Sequence, residues 1–189
     1  WLAPYDAAWS RTRLLRLQAD PRIGRITSPV IEEWGEADLG APQTLERFVR
    51  TALSRFPARR YLFYTFAHGQ GVIDTRCFGL PPRPAKTISF SRDDTSGQKM
   101  SLEQFHTALR QGLDGRRFEL MVLFSCLANM VEVGYTLSDV AGLIVGSQDE
   151  IRLVNQPPGQ FQIRGLHFEE LIAGLHLRPT ADIATLGRK

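Results

Sequence analysis

Apolar positions change period along the chain, and the changes mark its elements. Across Thr44–Arg55 (TLERFVRTALSR) Leu45, Phe48, Val49 and Ala52 recur at three- and four-residue spacing, which predicts a helix with Thr44 as its cap and Pro57 beyond its end. Arg60–Ala67 (RYLFYTFA) follows, aromatic and apolar throughout, and reads as a strand covered on both faces. Ser101–Gln111 (SLEQFHTALRQ) returns to helical spacing, and Ser101 with Gln104 three places on forms a capping box. Phe118–Phe124 (FELMVLF) is a second continuous apolar strand, Leu127–Leu137 (LANMVEVGYTL) a third helix, and Gly142–Gly146 (GLIVG) a short buried strand.

Strands that alternate with helices predict an α/β fold with a mainly parallel sheet, because parallel neighbours need crossover helices. Between the first strand and the second helix lies a Gly- and Pro-rich stretch from Gly69 to Thr95, with Pro81, Pro82 and Pro84. It is long enough to be a functional surface loop. Before Ile26 the pattern is weaker. Leu14, Leu15 and Leu17 alternate imperfectly with Arg13 and Arg16, as in a strand or hairpin.

No repeat or low-complexity linker divides the 189 residues, so a single domain is expected. A content of 43% hydrophobic and 23% charged residues excludes disorder and coiled coil. No apolar run approaches the roughly 18 residues of a membrane span, so no membrane partner is expected. The net charge of +3 comes from 23 basic and 20 acidic residues scattered along the chain. Without a basic stripe and interleaved aromatics, no nucleic-acid partner is expected either. The chain opens on Trp1 with neither Met nor a signal-peptide pattern, as a processed or excised piece would.

Ligands of open α/β sheets bind beyond the carboxyl ends of the strands. His68 stands directly after RYLFYTFA and Cys126 just after FELMVLF. If those strands are neighbours, imidazole and thiol emerge on one edge, as in Cys/His pairs assembled from distant positions. The predicted helix beginning at Leu127 would place its positive end at Cys126 and favour a thiolate. Gly69 and Gly71 let the backbone approach a substrate, and their N–H groups could hold an oxyanion. The pattern serves a plainer reading equally well: Cys126 as a small core residue and His68 as a hydrogen-bonded cap.

Cys77 is a bystander in the loop after His68. His106, His167 and His176 lack zinc-site spacing, so no metal is expected. Asp93 and Asp94 before Thr95-Ser96-Gly97 predict an Asx turn leading into the next helix, without the oxygen alternation of a calcium loop. A nucleotide-binding domain is disfavoured because neither a P-loop nor Gly-x-Gly-x-x-Gly follows a strand.

Several segments stand in a telling order. They are Gly35-Glu36-Ala37-Asp38-Leu39-Gly40 with Thr44-Leu45 and Phe48; Phe66-Ala67-His68-Gly69-Gln70-Gly71; Asp94-Thr95-Ser96 with Leu102-Glu103; and Cys126-Leu127-Ala128-Asn129-Met130-Val131-Glu132-Val133-Gly134-Tyr135 with Asp139-Val140-Ala141 and Val145-Gly146-Ser147-Gln148. From about Gly35 to Glu150 they resemble the clostripain family of cysteine peptidases, relatives of caspases, legumains and gingipains. The corresponding family runs are Gly-Glu-x-Asn-Met-Gly, Trp-Asn-His-Gly-Gly-Gly, and Cys-Leu-Met-x-x-x-Glu-Val-Ala-Tyr followed by Val-Ala-Ser-Glu/Gln. Beyond Gln148 the likeness thins, with Pro158-Gly159-Gln160-Phe161 standing roughly where the family has Pro-Gly-x-Gly-Trp.

The resemblance implies a caspase-like three-layer sandwich with a mainly parallel sheet, forming one clostripain-like peptidase domain over residues 1–189. It implies an endopeptidase with Cys126 as nucleophile and His68 as its partner, and the N–H groups of Gly69 and Cys126 as oxyanion donors. Phe124, Ser125 and Ser147 would form the substrate pocket, and Arg83 or Lys86 would suit an activation cleavage. A monomer acting on peptides or proteins is expected, exported or held at a bacterial cell envelope. No cofactor is required, although calcium serves some relatives.

Two departures qualify this reading. The family has Asp-Ala before its cysteine, the Asp lining a pocket for Arg or Lys, whereas Phe124 and Ser125 stand here. Phe124 offers no carboxylate for a cation, which leaves an apolar preference or a degenerate site. Nothing before Trp1-Leu2-Ala3-Pro4-Tyr5-Asp6 supplies the family's Ala-Asp-Asn-Asn/Asp segment. Leu2–Asp6 resembles the tail of a second strand, so the first strand and helix are expected to be missing. Together these features motivate the rival reading, a binding module that has lost turnover.

Overall fold

The computed structural model describes residues 11–18, 26–67, 69, 91–93, 95–149, 151, 153–155, 161–163, 168–178 and 180–182. In chain order the elements are β1 (Thr12–Leu15), β2 (Val30–Gly35), α1 (Pro42–Arg55), β3 (Leu62–Phe66), β4 (Ser91–Arg92), β5 (Lys99–Met100) and α2 (Leu102–Leu113). Then come β6 (Phe118–Phe124), α3 (Val131–Thr136), β7 (Ala141–Gly146), β8 (Leu153–Asn155), β9 (Phe161–Ile163) and α4 (Phe168–Leu177).

The centre is a parallel sheet in the order β3-β6-β7, as the strand and helix alternation predicts. FELMVLF buries every residue but Glu119, the mark of a strand covered on both faces. Because side chains alternate, Phe63, Met121 and Leu123 face one core, shared with Val49 and Leu53 of α1 and Phe105, Leu109 and Leu113 of α2. Leu120, Val122 and Phe124 are buried on the opposite face. The two helices pack closely at Gly112, where an added Cβ would come within 2.8 Å of Val49 Cβ. β3 departs from the expected full coverage: Phe63 is buried, but Phe66 is 50% exposed, since β3 has β6 on one side and no second neighbour among the described strands.

Local signals explain several boundaries. The Ser101 hydroxyl accepts from Gln104 N at 3.2 Å while Gln104 Oε1 accepts from Ser101 N at 2.9 Å, the predicted capping box. α1 starts earlier than Thr44: its cap is Ala41, without a side-chain bond, and Pro42 takes the first turn. The fixed φ of proline suits that position and its missing N–H costs nothing there. β1 lies in the region expected to hold a strand or hairpin and pairs antiparallel with β2. The Glu32 carboxylate of β2 accepts from Trp34 Nε1 at 2.8 Å and pairs with Arg55 at 2.7 Å and Arg47 at 3.4 Å. The Trp34 bond first, and then the two guanidiniums, outweigh burial and hold this carboxyl below its ordinary value.

α3 is shorter than the helix expected over Leu127–Leu137. Leu127 has φ of 56°, outside helical space, and Leu127 N donates to Asp149 O at 3.2 Å while Asn129 N donates to Ser147 O at 2.9 Å. Those distant carbonyls satisfy donors that a helix would leave open at its first turn. Helix α3 therefore begins five positions after Cys126, and the expected dipole support for a thiolate there does not hold.

The Asx turn forms as expected, but inside the β4–β5 hairpin. Asp93 Oδ1 accepts from Thr95 N at 2.8 Å and Ser96 N at 2.9 Å, and Oδ2 accepts from Leu39 N at 3.0 Å, tying the hairpin to the chain before α1. The Ser96 and Leu39 amides, with Thr95, outweigh burial and hold the carboxyl below its ordinary value. A depressed folded pKa stabilises the protein above the unfolded carboxylate value near 4, and that stability is lost as pH falls through the folded pKa. Asp93→Asn, which turns an NH₂ toward one of these donors, should cost about 1–3 kcal/mol at pH 6. Urea midpoints should show the gap between wild type and variant narrowing below pH of about 4.

Candidate active site

The register brings the carboxyl ends of the three parallel strands level. Phe66 pairs with Phe124, and Leu123 with Gly146. Ala67 N donates to Phe124 O at 3.1 Å, so β3 follows β6 one residue past the strand end. Gly69 then lies against the segment after β6. A Cβ there would overlap both Ser125 Oγ and the carbonyl oxygen of Cys126, and would reach Ser125 Cβ at 3.2 Å. Only glycine allows this approach.

Cys126 is a free, half-buried thiol. Its Sγ accepts from Ile151 N at 3.2 Å, which orients the sulfur. With the Leu127–Asp149 and Asn129–Ser147 bonds, Ser147, Asp149 and Ile151 all bond to the segment that carries the nucleophile candidate. Residue-type patterns carry no signal for Ile151, because its contribution is a backbone amide delivered by the turn after β7. That turn is closed by Ser147, whose Oγ donates to Asp149 O at 2.9 Å and accepts from Asp149 N at 3.2 Å.

The other pocket candidates are enclosed. Phe124 is buried and its ring stacks on Phe66, centroids 5.0 Å apart and planes 15° apart. Ser125 is 2% exposed, and its Oγ has no hydrogen-bond partner among the described residues. The structure thus brings Gly69, Phe124, Ser125, Cys126 and Ser147 together at one sheet edge. His68, Gly71, Cys77, Arg83, Lys86, Asp94 and His167 lie outside the described residues, as do Leu2–Asp6 and Pro158–Gln160.

His106 lies elsewhere, on α2, with Nε2 2.8 Å from Asp139 Oδ1 in the turn before β7. Burial pushes the Asp139 carboxyl up, but His106, backbone bonding and Arg110 together hold it below its ordinary value. His176 lies in the last turn of α4.

Fold and edge define an α/β protein of caspase-like architecture, with a free cysteine delivered by its central parallel strand. The chain belongs to the clostripain family, peptidase family C11, whose model matches residues 2–153. It is therefore a homologue of cysteine peptidases. Among solved structures it is similar to a secreted C11 cysteine protease from Bacteroides thetaiotaomicron in complex with an irreversible peptide inhibitor. The identity is 21% over 94% of this chain and 42% of the other, with a TM-score of 0.61. The secreted C11 cysteine protease iotapain from the same organism matches at 16% identity over 87% of this chain and 43% of the other, TM-score 0.60. An inactive zymogen C11 protease from Parabacteroides distasonis matches at 20% identity over 75% and 35%, TM-score 0.50. At these identities the likeness is one of fold, and the chain spans about two fifths of the length of the first two proteins. No curated protein sequence matches the chain significantly.

Proposed function

We propose that the chain carries the catalytic machinery of a cysteine endopeptidase, with Cys126 as nucleophile and His68 as its acid and base. The observation that supports this most is the approach of Gly69 to the Cys126 carbonyl. It brings the chain on the carboxyl side of His68 onto the loop of the thiol. Cys126 gives its proton to His68 and attacks the scissile carbonyl of a peptide or protein, and the oxyanion is held by Gly69 N–H and Cys126 N–H. The C–N bond breaks as His68 protonates the leaving amine, which leaves a thioester on Cys126. Water, deprotonated by His68, then attacks the thioester. The acid leaves and the thiol is restored.

Export is proposed by likeness to the secreted Bacteroides proteases; among the described residues no helix is long and apolar enough to cross a membrane. Arg83 and Lys86 remain the proposed positions of an activation cleavage.

Incubation of the full-length protein with peptide acyloxymethyl ketones of varied P1 residue tests the reading. A mass shift mapped to Cys126 is expected, absent in Cys126→Ser and slowed by about 10²-fold or more in His68→Ala. A folded protein that gives no adduct at Cys126 with any probe would be a binding module without turnover.

A further inference from the structure

Resting on the peptidase reading, we infer that this site selects an apolar, best an aromatic, side chain at P1, received by the exposed ring of Phe66. Tyr64 and Phe66 share one face of β3, and by the parallel register Phe124 of β6 stands on that same face. Their rings form a ladder. Tyr64 lies 6.4 Å from Phe124 with planes 35° apart, and Phe124 lies 5.0 Å from Phe66 with planes 15° apart. Tyr64 is half-buried and the middle ring, Phe124, is only 4% exposed, whereas Phe66 at the sheet edge is 50% exposed. The last ring is thus held in place by stacking on a buried one while half of the residue stays open to solvent, two residues before the catalytic-histidine candidate. Phe124 stands equally two residues before the nucleophile.

The surroundings favour the same class of side chain. From Tyr61 to Ala67 and from Leu120 to Val131 there is no Asp, Glu, Lys or Arg. A cationic P1 group entering beside Phe66 would be desolvated without a carboxylate from either strand or from the nucleophile loop. An aromatic or branched aliphatic one would remove apolar surface from water on both sides and gain ring-on-ring contact. Among the described residues Asp149 is the acidic one whose backbone reaches this edge, through its carbonyl on Leu127 N, so a carboxylate able to overturn the inference would come from Asp149 or the adjoining Glu150.

A fluorogenic series differing at P1 alone (Phe, Leu, Ala, Arg, Lys), run on the full-length protein beside matching acyloxymethyl ketones, provides the test. The expected result is cleavage after Phe and Leu at least tenfold faster than after Ala or Arg. In Phe66→Ala the Phe-to-Ala rate ratio should fall about tenfold, whereas Phe66→Leu keeps most of it. Phe48→Ala, on an exposed part of α1, should leave the ratio as it is. Fastest cleavage after Arg or Lys overturns the P1 assignment while leaving the peptidase reading intact, and its loss in Asp149→Asn or Glu150→Gln would name the carboxylate responsible. A Phe66→Ala loss that is equal for every P1 overturns the assignment in the same way. Failure of every ketone to label Cys126 overturns both.

Discussion

Replacing Gly69 by alanine should lower the rate of Cys126 labelling by about 10²-fold or more while the protein stays folded. The argument is steric. The new methyl would overlap Ser125 Oγ, which a rotamer change could relieve, and the Cys126 carbonyl oxygen, which is backbone and has no such escape. Either the Gly69 segment withdraws or the Cys126 loop shifts, and a displacement near 1 Å is enough to misplace an oxyanion donor. Adding Ser125→Ala separates the two overlaps. It removes the hydroxyl but not the carbonyl, so the double variant should regain less than tenfold. Labelling of Gly69→Ala at the wild-type rate would show that Gly69 does not press on the nucleophile loop in solution. A thermal unfolding scan checks that the loss is local, since Gly69 lies past the end of β3 and contributes no side chain to the core.

How far the sequence reveals this arrangement depends on whether the deciding interaction is local. The Ser101–Gln104 capping box lies within one turn and was legible as such, and the unbroken apolar run of β6 could hardly serve elsewhere than mid-sheet. The convergence of Cys126 and Gly69 was legible because a parallel sheet aligns its strand ends. β2 gives no local strand signal because VIEEWG carries two carboxylates mid-strand and lacks strict alternation, and those carboxylates are met by distant guanidiniums, Glu33 by Arg13 of β1 and Glu32 by Arg47 and Arg55 of α1. LANMVEVGYTL has the local pattern of a longer helix than Val131–Thr136 for a related reason. Its first residues spend their N–H groups on carbonyls about twenty positions further on, a bond that no local periodicity records. Ile151 on the thiol and the open face of Phe66 are likewise products of tertiary placement.

Phe63→Ala should be the most destabilising of these changes, at about 3–5 kcal/mol. Phe63 is 6% exposed and bridges two elements, its ring centroid 5.1 Å from Phe118 of β6 and 6.1 Å from Phe105 of α2, the latter edge-on. Truncation removes both ring contacts and opens a cavity between sheet and helix, walled by residues such as Leu109 and Leu123 that are themselves fully enclosed and cannot collapse far. For a chain of this size the thermal midpoint should fall by roughly 10 °C, measured by calorimetry or circular dichroism. Phe66→Ala is the matched comparison, with the same residue type three positions along the same strand on the opposite, half-open face. It should shift the midpoint far less, because its ring already keeps much of its contact with water. If Phe66→Ala proved as costly as Phe63→Ala, Phe66 would be a core residue and its claim on a P1 side chain would fall with that result. The expected opposite outcome, a large stability loss at Phe63 with P1 preference kept and a small one at Phe66 with preference lost, would show one strand building the core on one face and reading substrate on the other.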